Sequence, residues 1–353
     1  MTGRMLAVRL DNAGDVLLAG PALRAAAHGS DEVVLLASPL GADAGRLLPG
    51  VDDVVEWRCP WITADSGPVA TADIEQLVDQ LRRRRFDSAL IFTSFHQSPL
   101  PTALVLRLAG VPWVGAISVD YPGSLLDLRH GVDDDIPEAE RALSLARAAG
   151  LALPPGDDGA LRVRQPLPDV YSLVGSGPYV VLHPGTSVAA RAWPASRFAE
   201  TSARLTSSGR RVVVTGAPSE RALTAQVAAG TPAVDLGGAT SVPELAAVLA
   251  GAEAVVVGNT GPAHLAAAVG TPVVSLFAPT VPAVRWAPYG VPYVLLGDQQ
   301  AACRDTRATT CPVPGHPCLT SVTPQDVHEA IETLTQQITA VGPARTRGKE
   351  MVR

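Results

Sequence analysis

Consecutive apolar, mostly β-branched runs recur along the chain, and helix-length amphipathic segments fill most of the gaps between them. The runs are "MLAVRL", "EVVLLAS", "SALIFT", "YVVLHPG", "RVVVTGA", "AVVVGN", "PVVSLFA" and "PYVLLG". Between them lie segments such as "DVLLAGPALRAAAHG", "TADIEQLVDQLRRRR", "PASRFAETSARLTSSG" and "SVPELAAVLAGA". Strands that lack polar alternation are buried on both faces, as in parallel sheets covered by crossover helices. The pattern predicts an α/β protein.

The alternation breaks at residues 150–178, "GLALPPGDDGALRVRQPLPDVYSLVGSGP", which is rich in Pro and Gly and carries one short apolar alternation. A new strand series starts at Tyr179, so this stretch reads as a linker. The expectation is two Rossmann-like, doubly wound domains facing across a cleft, residues 1–165 and 166–339. A length of 353 residues suits two cores of roughly 150 residues each. Residues 340–353, ending "GPARTRGKEMVR", read as a flexible, solvated tail behind the capped amphipathic helix "TPQDVHEAIETLTQQI".

Composition narrows the function classes. The chain is 47% apolar and 18% charged, with a net charge of −6, so no global basic field exists to hold a nucleic acid. The opening "MTGRMLAVRLDNAGD" breaks its apolar run at Asp11 and reads as a strand, not a signal peptide. No apolar run approaches the roughly 20 residues of a membrane span, and the expected location is cytoplasmic. Lys349 is the sole lysine, and with the Ala, Gly and Pro load this suggests a GC-rich genome. Of the cysteines, Cys303, Cys311 and Cys318 cluster near His316 in a Pro-rich loop without a C-x-x-C pair. Packed thiols are expected there rather than a metal site.

The chemistry gathers at predicted strand ends. In "AVVVGNTGPAHLAAAVG" a strand ends in Gly258-Asn259-Thr260-Gly261-Pro262 and a helix follows at once, with Thr260 placed to cap it. Such a junction aims backbone N–H groups and a positive dipole end at an anion. "AVRLDNAGDVLLAGPALRAA" repeats the plan in the first half, with Asp15 in the first helical turn. "VVLHPGTSVAARAWP" supplies Thr186, Ser187 and Arg191, whose planar fork suits phosphate oxygens. "VVVTGAPSE" places Glu220 where an acid accepts from ribose hydroxyls, and "AVDLGGATSVPE" is a short strand with a Gly-Gly turn.

These clusters, in this order and over nearly the whole chain, resemble glycosyltransferase family 9, the ADP-heptose heptosyltransferases of lipopolysaccharide core assembly. The resemblance implies a GT-B fold, an inverting mechanism, a nucleotide-diphosphate sugar as donor, a hydroxyl-bearing acceptor, and no obligatory metal or other cofactor. It assigns the catalytic base to Asp15, a phosphate-binding cation to Arg191 and a ribose-binding acid to Glu220. Adenine-contacting backbone falls near Leu236 and Gly237. Asn259, Thr260, Gly261 and His264 join Thr186 and Ser187 around the donor, and Asn12, His96 and Gln97 lie where the acceptor is expected. Many members carry Asp where this chain has Asn259, which cannot act as a base.

Plainer readings stand beside these. Asp15 also suits a helix first turn, His264 a satisfied buried histidine, Arg191 an ordinary surface cation, and Arg82–Arg85 a solvated helix end. An oxidoreductase is disfavoured, because no G-x-G-x-x-G follows the first strand. The alternatives kept are a transferase for another nucleotide sugar (UDP or GDP), such as an epimerase-like relative acting through the same GT-B cleft, and a non-catalytic nucleotide-sugar-binding protein. The compositional bias adds an acceptor expectation: a natural-product core such as an aminocyclitol, or a cell-wall glycan.

Overall fold

The computed structural model describes residues 3–62, 67–132, 135–341 and 350–352. The chain divides into two compact units, Met1–Arg164 and Gln165–Arg353. In the first, β1 (Arg4–Arg9), α1 (Ala13–Leu18), α2 (Gly20–Gly29), β2 (Glu32–Ala37), α3 (Ala42–Leu47) and β3 (Asp53–Glu56) lead into α4 (Thr71–Arg84). Then come β4 (Ser88–Ile91), α5 (Leu100–Leu108), β5 (Val114–Ile117), β6 (Leu128–His130) and α6 (Glu138–Ala148). Every pairing is parallel and the strand order is β3-β2-β1-β4-β5-β6. The order reverses between β1 and β4, and the crevice outside the carboxyl ends of such a pair is where doubly wound sheets bind ligands.

The second unit has α7 (Tyr171–Val174), β7 (Tyr179–His183), α8 (Ala195–Ser207), β8 (Arg211–Gly216), α9 (Arg221–Ala228) and β9 (Val234–Gly237). These are followed by α10 (Val242–Ala250), β10 (Ala254–Gly258), α11 (Gly261–Ala268), β11 (Val273–Leu276), α12 (Ala283–Trp286) and β12 (Tyr293–Leu296). The unit closes with α13 (Pro317–Thr320), α14 (Pro324–Val341) and β13 (Glu350–Val352). Its parallel sheet runs β13-β12-β11-β10-β7-β8-β9, so the reversal falls between β7 and β10, with His183 opposite Val257. The β-branched runs read from sequence are the buried central strands of each sheet.

Two stretches differ from the expectation. The front half of the presumed linker is built into the first unit, where Leu151, Leu161 and Val163 are buried and Arg164 N donates to the Leu47 carbonyl. Arg24 reaches from α2 to Asp157 through Nε at 2.7 Å and Nη2 at 2.9 Å, both side chains buried. Those hydrogen bonds hold the Asp157 carboxyl down to about 2, against the opposing pull of burial. Within the stretch read as a tail, Glu350–Val352 pair with β12, while residues 342–349 and 353 lie outside the described residues. No helix among the described residues is long and apolar enough to cross a membrane.

Candidate active site

In the first unit, β1 is apolar from Met5 to Val8 and ends in a charge. Arg9 is 3% exposed, with Nε 3.0 Å from Asp11 Oδ2 and Nη2 3.0 Å from Asp15 Oδ1. The same Nη2 donates to Ser94 Oγ at 3.0 Å. Ser94 and Gln97 come from the loop after β4, across the strand-order reversal. Gln97 Nε2 donates to Asp11 Oδ1 at 2.5 Å, and Gln97 Oε1 accepts from Ser94 N at 3.0 Å. From α6 come buried Glu138 and Arg141, 3.7 Å apart, and Arg141 donates to the Thr93 carbonyl.

The charges in this cluster depend on one another. Burial disfavours a charged Arg9, but Asp11, Asp15 and Glu138 outweigh it and hold the guanidinium above its usual range. Burial pushes the Asp11 carboxyl up; Arg9 opposes that rise and Asp15 adds to it. Asp15 occupies the first turn of α1, where the helix dipole favours a carboxylate, and its side chain remains 19% exposed.

Of the residues expected to meet an acceptor, Gln97 belongs to this network, whereas Asn12 and His96 are exposed beside it. Reading the sequence missed Arg9, Asp11, Ser94, Glu138 and Arg141. The available signal was "AVRLD", in which charge interrupts an otherwise apolar strand end.

In the second unit the ends of β7, β8, β9 and β10 lie side by side along the same edge of the sheet. His183 closes β7 with Nδ1 2.9 Å from Thr215 Oγ1, and burial pushes its imidazole down to about 4, so it stays neutral. Gly185 follows. A Cβ there would stand 2.2 Å from the Glu220 carboxyl group, so the acid lies directly on the glycine. Glu220 Oε2 accepts from Ala217 N at 2.7 Å, which closes the 3-10 turn Pro218–Glu220.

Thr186 Oγ1 accepts from Val188 N at 3.2 Å, and Ser187 is exposed. The 3-10 turn Ala189–Arg191 is fixed by Ala190, whose N donates to the Thr309 carbonyl and whose carbonyl lies 3.1 Å from His316 Nε2. The Arg191 carbonyl then passes within 3.3 Å of where a Cβ on Gly258 would sit. The structure thus brings the Arg191 turn against the Asn259–Gly261 junction, and Glu220 against the loop that carries Thr186.

Thr260 is the N-cap of α11, but its side chain makes no capping hydrogen bond, contrary to the expectation. Its Oγ1 and the Nδ2 of buried Asn259 have no hydrogen-bond partner among the described residues. Each such atom costs about 1–3 kcal/mol, which a polar ligand would relieve. His264 is buried on α11. Leu236 and Gly237 end β9, with the Leu236 carbonyl accepting from Ala239 N and Gly237 N donating to Asp235 Oδ1.

In the thiol cluster, Cys303 and Cys318 lie in the core and Cys311 is part-buried. Burial, then the nearby Cys303, pushes the Cys318 thiol up to about 12. Among the described residues no three His, Cys, Asp or Glu side chains are grouped as a metal site.

The profile of "Glycosyltransferase family 9 (heptosyltransferase)" matches residues 74–316. Lipopolysaccharide heptosyltransferase 1 of Pseudomonas aeruginosa is 36% identical over 135 residues, and the match spans 38% of this chain and 38% of the relative's length. The Escherichia coli K12 enzyme of the same name is 26% identical over 320 residues, covering 86% of this chain and 94% of the relative. The solved structure of E. coli ADP-heptose lps heptosyltransferase II superposes with a TM-score of 0.73 at 20% identity, covering 95% of this chain and 99% of that one. That likeness shows a two-domain α/β fold of the GT-B kind.

Proposed function

The chain belongs to glycosyltransferase family 9, and on that premise we propose that it moves a heptose from an ADP-sugar to an acceptor hydroxyl with inversion. The observation that carries this reading is the Asp15 carboxylate, held 3.0 Å from a buried arginine at the end of β1 yet part-exposed. Asp15 takes the acceptor hydroxyl proton as that oxygen attacks the anomeric carbon. The bond from the anomeric carbon to the diphosphate oxygen breaks with its electron pair, and ADP leaves. The heptosyltransferase names of the relatives support the choice of sugar.

The second unit holds the donor in this reading. The N-terminus of α11, the Asn259 amide, the Thr260 hydroxyl and Arg191 receive the charge that builds on the diphosphate. Each charge-assisted hydrogen bond contributes about 1.5–3 kcal/mol. Thr186, Ser187, Gly261 and His264 complete the phosphate and sugar contacts, Glu220 accepts from the ribose, and Leu236 and Gly237 meet the adenine. Asn259 places a neutral donor beside the diphosphate, so Asp15 is the base.

Calorimetric titration with ADP, GDP, UDP and NAD tests the donor. Preference for ADP supports the reading, preference for UDP or GDP removes the heptose, and binding of NAD alone overturns the transferase. An acceptor panel of a lipid A–Kdo glycolipid, soluble aminocyclitols and cell-wall glycans, scored by sugar transfer from ADP-heptose, then assigns the acceptor class.

A further inference from the structure

The cluster at the end of β1 contains more than a base needs. If Asp15 met Arg9 alone, an adjacent full positive charge would weaken it as a proton acceptor. Arg9, however, has a second carboxylate, Asp11, 3.0 Å from its other arm, and Asp11 is itself anchored by Gln97 at 2.5 Å. The charged and titratable groups around this pair are Glu138 and Arg141 from α6, and Cys59 from the loop after β3. Ser94 and Gln97 add neutral hydrogen-bonding groups from the loop after β4. Three carboxylates therefore share two guanidinium groups, and among Arg9, Asp11 and Asp15 the most exposed is Asp15.

We propose that Arg9 and Asp11 are positioning residues for Asp15: one arm of the guanidinium fixes the Asp15 carboxylate, and Asp11 on the other arm absorbs charge that would otherwise quench it as a proton acceptor. The chemical use of this arrangement rests on the transfer reading above. The arrangement itself does not. Ser94 shares Nη2 with Asp15, so that arm is held from two sides and cannot swing away. Lysine in place of Arg9 keeps the charge but offers one point where two arms are needed. Asn in place of Asp11 keeps the shape and can still accept from Gln97, while removing the shared charge.

The sign follows from the charges. Without Asp11, the positive charge of Arg9 acts on Asp15 undivided and one neighbouring negative charge is gone, so Asp15 holds its proton less well. The experiment follows the Asp15 carboxyl carbon by NMR pH titration in the full chain labelled with 13C-aspartate, with Asp15→Asn to assign the signal. ADP release from ADP-heptose is measured over the same pH range.

In Asp11→Asn the titration midpoint and the acid limb of the rate profile should both move to lower pH, by about one pH unit. The plateau rate should fall, because a weaker base takes the proton less readily. Glu138→Gln should move both in the same direction by less. Arg9→Lys should lower the rate about tenfold with ADP affinity unchanged.

If Asp11→Asn lowers the melting temperature and leaves the midpoint where it was, the residue is structural and the proposal is overturned. If ADP-heptose is not turned over by the wild type, the transfer reading falls, and the carboxyl titration still decides whether Arg9 and Asp11 govern Asp15.

Discussion

The carboxyl ends of the two sheets are built on opposite principles. At the end of β1, charge is dense and internally paired: Arg9 hydrogen-bonds Asp15 through Nη2 and faces Asp11 across an ion pair at Nε, Asp11 is also held by Gln97, and Asp15 stays part-exposed. At the end of β10, the Asn259–Gly261 junction carries no formal charge of its own, and Asn259 Nδ2 and Thr260 Oγ1 are left without partners among the described residues. A group that must move a proton needs its geometry and charge set before substrate arrives. A group that must bind a polyanion gains by keeping its donors uncommitted, because the ligand then supplies the missing hydrogen bonds. The first edge supplies its own counter-charges, although Arg9 Nε and Asp11 Oδ2 meet as an ion pair without a hydrogen bond; the second offers neutral donors for a ligand to pair.

The largest expected effect sets the two edges against each other. Asp15→Asn should cut turnover about a hundred- to ten-thousand-fold while ADP affinity, measured by calorimetry, stays within twofold. Equal losses in both would show that the edges do not divide the work. Arg191→Ala should give the converse, weakening ADP binding about tenfold or more through loss of a charge-assisted hydrogen bond. Its acid limb should be unmoved.

Two predictions concern what each edge rests on. Asp157→Asn, in the segment strapped onto the first unit, breaks a buried ion pair and should cost about 3 kcal/mol in denaturant melts. The wild-type stabilisation from this pair is present above the unfolded-state value of about 4 and is lost as pH falls towards about 2. In the second unit, unfolded His183 takes up a proton below about pH 6.5, but the buried imidazole does not until about 4. Stability should therefore decline over that window, and His183→Gln should flatten the decline in melts at pH 7 and pH 5. The smallest effect is Thr260→Val, which should leave the unliganded protein equally or slightly more stable while weakening ADP binding a few-fold. A clear destabilisation would mean that the hydroxyl has a partner in the fold.

Much of the second edge was legible in the sequence, because a strand end, a glycine turn and a helix start are local features. "VVVGNTGPAH" and "VVLHPGTS" announce them within ten residues or so. The Arg9 cluster was largely hidden. Its partners arrive from the loop after β4 and from α6, and burial of a charge is decided only when those distant elements pack. "AVRLD" alone reads as a strand ending in solvent. The front of the presumed linker was misjudged for a related reason: the one apolar alternation, Leu161 and Val163, is too short to stand out among Pro and Gly, and only the packed unit gives it and Leu151 a place. The uncapped Thr260 was also beyond local reading, since its position in the chain is that of a capping residue.

The strap from Leu151 to Arg164 also determines where this protein can be cut. A fragment ending with α6 removes Asp157 and leaves the Arg24 guanidinium on α2 with its charge uncompensated. It also uncovers the seats of Leu161 and Val163 and frees the Leu47 carbonyl. For dissection, domain exchange or tagging, the junction lies after Arg164, although the Gly- and Pro-rich composition invites a cut well before it.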